Sequence, residues 1–252
     1  MVTTNNIVVE TKNLTKQYGN QIAVDNLTFT LREGEIFGFL GPNGAGKTTT
    51  LLMLMGLTRP SGGEAIVCGL DPVRKAKEVK RLIGYMPENV GFYPELDAVQ
   101  SLEYIAALNG MPESKTKKRI WELLELVGLQ NGAYKKVSNY SRGMKQRLGI
   151  AEVLIKDPKV LFLDEPTLGL DPEAALNLID LIARLKEEHN MTVLLSSHHL
   201  HQVQKMSDRV GIMIEGKMVA QGTLDELSRE RFGLGDKTYS LEEIYLKYFR
   251  EA

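Results

Sequence analysis

The stretch GPNGAGKTTT, residues 41 to 50, constrains this chain more than any other. Gly41, Gly44 and Gly46 leave too little side chain to build a core and too much backbone freedom for a regular element. The stretch follows an apolar run, GEIFGFLG (34–41), and leads into another, TTTLLMLMGL (48–57). The spacing G-x-x-x-x-G-K-[ST] is met by Gly41, Gly46, Lys47 and Thr48, between a predicted strand and a predicted helix. In that setting Pro42, Asn43, Gly44 and Ala45 form a loop whose N–H groups turn inward, and a helix opening at Lys47, Thr48 and Thr49 adds the partial positive charge of its N-terminus. Such a cup fits the di- or triphosphate of a nucleotide. Lys47 would reach the β- and γ-phosphates and the Thr48 hydroxyl would hold Mg²⁺. A glycine-rich connector with a chance lysine would not account for both flanks.

A phosphate cup alone does not separate kinases from hydrolases. VLFLDE (160–165) does, because a buried strand ending in Asp164 offers Mg²⁺ a carboxylate and Glu165, next in line, can polarise an attacking water. The competing reading makes Glu165 a solvated acid at a strand end. KVLFLDE (159–165), TVLLSS (192–197) and RVGIMIEG (209–216) are apolar along nearly their whole length, as strands covered on both faces of a parallel sheet are. From Ile7 to Leu31 the pattern alternates, which predicts an antiparallel layer at the edge. Between about residues 90 and 155 the period becomes helical. RIWELLELVGL (119–129) spaces Ile120, Leu123, Leu124 and Val127 on one face, and Asp97 with Gln100 reads as a capping box. Asp171, Pro172 and Glu173 open another helix, and Ser240 with Glu243 caps one more.

Lys plus Arg total 31 and Asp plus Glu 32, so a net charge of −1 supplies no broad positive field and no nucleic acid is expected as a partner. One cysteine, Cys68, cannot form an internal disulfide and fits a reducing compartment. The start MVTTNNIVVE has neither the basic nor the apolar region of a secretion signal, and no apolar run reaches the ~20 residues that cross a bilayer. The expected location is the cytoplasm.

Taken together, GPNGAGKT (41–48), YSRGMKQR (140–147), VLFLDEP (160–166), LGLDP (168–172) and SSHHL (196–200) closely resemble the ABC ATPase family. The resemblance runs from about Ile7 to Leu227 and implies an α/β fold. Its parts are a RecA-like P-loop NTPase core with a mostly parallel sheet, an N-terminal antiparallel β layer, and a helical subdomain inserted at about 90–155. The nucleotide-binding domain would occupy residues 1–227 and a C-terminal helical extension residues 228–252. The family implies a head-to-tail dimer, of this chain or with a homologous ATPase subunit, around two ATP molecules and Mg²⁺. Ser141, Arg142, Gly143 and Met144 would then face the γ-phosphate held by the other protomer. Ser141 is also read as the cap of its own helix. The usual LSGGQ becomes YSRGM here, with Gly143, the position of closest approach, retained.

The same resemblance implies that His198 contacts the γ-phosphate and the attacking water, as a catalytic partner of Glu165. A metal cluster of His198, His199 and His201 lacks a cysteine or a firmly placed carboxylate to complete it. Tyr18 matches the position that stacks on adenine, with a turn residue as the other reading. Asp171 matches the segment at the dimer interface, and capping would explain it equally. Glu88 stands where the family usually has a Mg²⁺-contacting Gln; a plain loop carboxylate is the alternative. Phe92 and Tyr93 suit docking of a helix from a membrane permease subunit, against packing within the insertion. The implied function is the ATP-hydrolysing motor of an exporter, peripheral on the inner face of the membrane, related to drug and antibiotic export systems. A soluble ABC scaffold, of the iron–sulfur assembly kind, is the other reading.

Overall fold

The computed structural model describes residues 6–232 and 239–251. Strands β1 (Ile7–Tyr18) and β2 (Gln21–Arg32) form an antiparallel hairpin. Val9, Leu14, Val24, Leu27, Phe29 and Leu31 turn to its buried face, as the alternation predicts. β3 (Ile36–Leu40) follows with all five residues buried, then α1 (Lys47–Leu54). β4 (Gly62–Val67) returns to pair with β1, completing a three-stranded sheet in the order β2-β1-β4. Next come α2 (Ala76–Leu82) and the short strand β5 (Ile83–Met86). The helical insertion consists of α3 (Ala98–Leu108), α4 (Glu113–Leu126) and α5 (Arg142–Leu154). Its first helix carries the Asp97–Gln100 capping box. Ile120, Leu123, Leu124 and Val127 all face the core.

β6 (Val160–Asp164), α6 (Pro172–His189), β7 (Thr192–Ser197), α7 (Leu200–Met206), β8 (Arg209–Ile214) and β9 (Lys217–Gly222) complete the second sheet and its covering helices. Its order is β5-β6-β7-β3-β8-β9, parallel from β5 to β8, with β9 antiparallel on the edge. The end of RVGIMIEG is not strand but the hairpin turn before β9, with Glu215 and Gly216 both at positive φ. Between the two sheets Phe29, Phe37 and Phe39 pack with centroids 4.9 to 5.5 Å apart. A larger core joins the other face of the parallel sheet to the insertion.

α8 (Leu224–Phe232) and α9 (Leu241–Glu251) end the chain, so the expected boundary between residues 227 and 228 falls inside a helix. Ser240 and Glu243 exchange backbone bonds at the start of α9, and Leu227, Leu241 and Ile244 join the larger core. Among the described residues, no helix is long and apolar enough to cross a membrane. The consequence that matters is at the carboxyl edge. β6, β7 and β3 are neighbours, so the segments following them emerge side by side.

Candidate nucleotide site

Those segments carry Glu165, His198 and the loop from Gly41 to Gly46. Gly46 caps α1 at φ 97° and offers no side chain to the helix, so the N–H groups of its first turn lack an intrahelical partner. A Cβ on Gly46 would lie 2.4 Å from the Ala23 carbonyl oxygen, and one on Gly41 would lie 2.2 Å from that of Met213. The loop is wedged against the core at both glycines. Over Gly44 a Cβ would meet nothing within 4 Å, and Asn43 and Thr48 are exposed, so the mouth of the loop is open. Pro42 and Thr49 are half-buried at its shoulders and Ala45 is buried beneath it. Thr50 clamps the turn by donating its hydroxyl to the Gly46 carbonyl at 2.9 Å.

Lys47 is buried and folds back over the loop. Its Nζ donates to the carbonyls of Gly41 at 2.7 Å and Pro42 at 3.2 Å, and stands 3.3 Å from Glu165 Oε1. That last contact is an ion pair without hydrogen-bond alignment, which leaves Glu165 Oε1 a buried acceptor with no hydrogen bond of its own. The other carboxylate oxygen lies 3.0 Å from His198 Nδ1. Glu165 holds this pose at φ 47°, a conformation costly for a non-glycine residue. Its N–H donates to both the carbonyl and the hydroxyl of Ser196 at 3.1 Å, and that hydroxyl donates in turn to Asp164 Oδ1. Ser196 therefore sets both carboxylates, a role that motif reading misses although the residue stands two places before His198. Thr167 similarly donates to Gln202 Oε1, tying the turn after β6 to α7.

Around this centre the other predicted residues fall into three groups. Glu88 is exposed just after β5, and its charge and that of Asp164 both act on Tyr85. Burial, then Asp164, then Glu88 push the Tyr85 hydroxyl up to about 12. His199 stacks beside His198 with centroids 4.1 Å apart, and burial followed by that neighbour lowers its pKa. Tyr18 is 49% exposed at the end of β1, and Lys16 Nζ sits 4.6 Å from its ring centroid.

Ser141, Arg142, Gly143 and Met144 form the tip of α5, where Ser141 Oγ accepts from the Met144 N–H at 3.2 Å. Among the described residues, no hydrogen bond or ion pair ties this tip to the phosphate loop. It packs instead on the segment that opens α6. The Arg142 guanidinium lies over Gly169, a Cβ on Gly143 would be 3.0 Å from that of Ala174, and Asp171 caps α6 through the Ala174 N–H at 2.8 Å. Phe92 packs half-buried against the insertion core, whereas Tyr93 is 53% exposed and meets Tyr104 edge to face at 5.4 Å. Of that pair, Tyr93 presents the outward surface.

The residues fit a nucleotide with its cation. The loop supplies free N–H groups, Lys47 a charge, Thr48 and Asp164 oxygen ligands, and Glu165 an acceptor for a water proton.

Comparison with known proteins bears out the family resemblance read from the motifs. The family described as ABC transporter matches residues 24–168. The bacitracin transport ATP-binding protein BcrA of Bacillus licheniformis is 44% identical over 222 residues, covering 88% of this chain and 72% of that protein. A solved ATP-binding subunit of an ABC transporter superposes with a TM-score of 0.84 at 30% identity, over 96% of this chain and 99% of the other. A dimeric ATP-binding cassette in a post-hydrolysis state, bound to ADP and Pi, gives 0.75 at 26% identity, over 86% and 98%.

Proposed function

The chain belongs to the ABC transporter family, as an ATP-binding subunit that hydrolyses ATP; from that premise we propose that two copies close around two ATP and drive a separate membrane subunit in export. The observation that carries the proposal is the arrangement at the carboxyl edge. Lys47 at the start of α1, Glu165 just after β6 and His198 just after β7 form one chain of contacts, and a second helix tip, at Ser141, stands unjoined to it. Thr48, Asp164 and Glu88 would hold Mg²⁺, which would supply charge neutralisation for the phosphates. Incoming phosphate oxygens draw Lys47 Nζ away from the Gly41 and Pro42 carbonyls and out of its ion pair with Glu165, which leaves Oε1 to orient a water and take its proton. His198, held by the same carboxylate, faces the charge that develops on the γ-phosphate. Ser141 and the Gly143 N–H approach that phosphate from the other copy, so cleavage loosens the dimer.

Export is supported by the likeness to BcrA. A cleft of about 340 Å³ between the core and the insertion, lined by Leu57, Tyr85 and Ile105, supports docking of a helix from a membrane permease subunit. Tyr93, exposed and packed edge to face on Tyr104 of the same insertion, offers an aromatic contact of its own. Docking would hold the chain peripherally on the inner face of the membrane. In Tyr93→Ala, ATP turnover of the isolated chain should be unchanged while co-purification with a co-expressed membrane permease subunit weakens; undiminished co-purification would count against this surface.

The dimer has its own test. Glu165→Gln should keep ATP affinity, lose between about a hundredfold and ten-thousandfold in turnover, and run at twice the single-chain mass by light scattering in saturating MgATP. A single-chain mass under those conditions refutes the sandwich.

A further inference from the structure

Positive charge gathers at the opposite end of the parallel sheet from the nucleotide loop. A cavity of about 520 Å³ opens beside the amino ends of β5 and β6, and Arg81, Lys115, Arg119 and Lys156 line it together with Asn109 and Asp157. With a net charge of −1 for the whole chain, such a concentration is not a consequence of composition.

Two of the four cations are held in place by neutral groups. Lys156 Nζ donates to the Lys80 carbonyl at 2.5 Å, and Arg119 Nη2 to the Leu154 carbonyl at 3.0 Å. The acids nearby neutralise little. Asp157 stands 3.7 Å from Arg119 with its side chain 90% exposed, and Glu122 stands 3.8 Å away. At such distances and exposures water screens most of the attraction. Arg81 and Lys115 form no ion pair among the described residues. Burial also pushes the Lys156 pKa down, the direction expected where an ammonium lacks a full counter-charge.

Helix dipoles explain only part of this. Arg81 lies in the last turn of α2 and Lys156 just beyond α5, positions where a cation is favourable. Lys115, however, sits in the first turn of α4, where the dipole disfavours it, and lines the same cavity. A fold-stabilising role does not account for a cation placed there. A guest anion does. Met111 and Ile155 also line the cavity and add apolar surface beside the charges.

We propose that this cavity binds a phosphate-bearing anion, supplied either by the headgroup of an anionic phospholipid or as free phosphate. The phosphate would lie among the four cationic heads, with Asn109 able to donate an amide hydrogen. The proposal is independent of the nucleotide reading, since none of these residues belongs to that site.

The experiment compares the natural chain with Arg81→Ser plus Lys115→Ser, two exposed positions, after checking that the thermal midpoint is unchanged. One arm measures co-flotation with vesicles of phosphatidylcholine alone or mixed in equal parts with phosphatidylglycerol. The other measures inorganic phosphate bound at equilibrium dialysis, where the difference between the chains isolates this cavity from the nucleotide loop. A lipid source predicts binding only to the mixed vesicles, weakened about thirtyfold by the double variant, at about fivefold per cation. Free phosphate as the source predicts no difference between vesicles and the loss of one bound phosphate per chain in the double variant. Lys115→Gln alone, about fivefold weaker in the responding arm, keeps the test usable if the double variant folds poorly. Equal behaviour of natural and variant chains in both arms overturns the proposal.

Discussion

Two helix tips in this chain are suited to phosphate, and they are built in opposite ways. The tip of α1 begins after a glycine in the left-handed region, has no side chain to satisfy its first N–H groups, and has Lys47 buried inside the turn. The tip of α5 begins at Ser141 in extended conformation and satisfies one of its own donors through the Ser141 hydroxyl. It stands on the surface, leaning on the start of α6. The difference teaches which tip leads. An uncapped turn needs an outside acceptor, so in the proposed cycle α1 would be the primary site of affinity. A self-capped turn is stable alone and gains only a little from an anion, so α5 would add a weak, reversible contact. In the proposed cycle, that asymmetry lets ATP stay bound to one chain while the second is free to leave.

The comparison can be broken in three places, beginning with the largest effect. Lys47→Ala removes the buried charge from the leading tip and should weaken ATP binding about a hundredfold, as loss of charge-assisted bonds does; fluorescent-nucleotide titration checks this, and unchanged affinity would remove the loop from the account. Gly46→Ala attacks the backbone of the same tip. With φ 97° and the Ala23 carbonyl 2.4 Å from the new Cβ, a loss of about 1–3 kcal/mol in urea unfolding is expected together with poorer ATP binding. Ser141→Ala touches the other tip and is the mildest, at about 1 kcal/mol from the lost cap. Its signature is specific: ATP affinity of the single chain stays constant while ATP-dependent dimerisation declines. Reduced affinity in the single chain would mean that the two tips are not separate.

How much of this could be seen in the residues beforehand depended on how local the cause was. The loop, the strand ending in Asp164 and the caps at Asp97, Asp171 and Ser240 are encoded by neighbours in sequence, and the structure has each. β5 escaped notice because it is four residues long and contains Gly84, whose Cβ would lie 2.7 Å from the Leu161 side chain. β9 escaped because KMVAQG, partly exposed on the edge of the sheet, lacks the continuous apolar pattern of the inner strands. The site shows the same division. Glu165 and His198 are legible as motif members, but their contact through Nδ1, and the double use of Ser196, depend on β6 lying beside β7. Phe92 and Tyr93 looked equivalent as adjacent aromatics; only the packing of the insertion turns one inward and leaves the other outside.

The central claim is that the loop of one copy and the Ser141 tip of another close on one phosphate. It is tested most directly by mixing two single-cysteine chains, Asn43→Cys and Arg142→Cys, the second at the exposed residue beside Ser141, each also carrying Cys68→Ser and Glu165→Gln, under mild oxidation. The account predicts a disulfide-linked pair that forms from the mixture in MgATP, forms far less with ADP, and is absent from either chain alone. A yield that ignores the nucleotide, or no linked pair at all while ATP is bound, would contradict it.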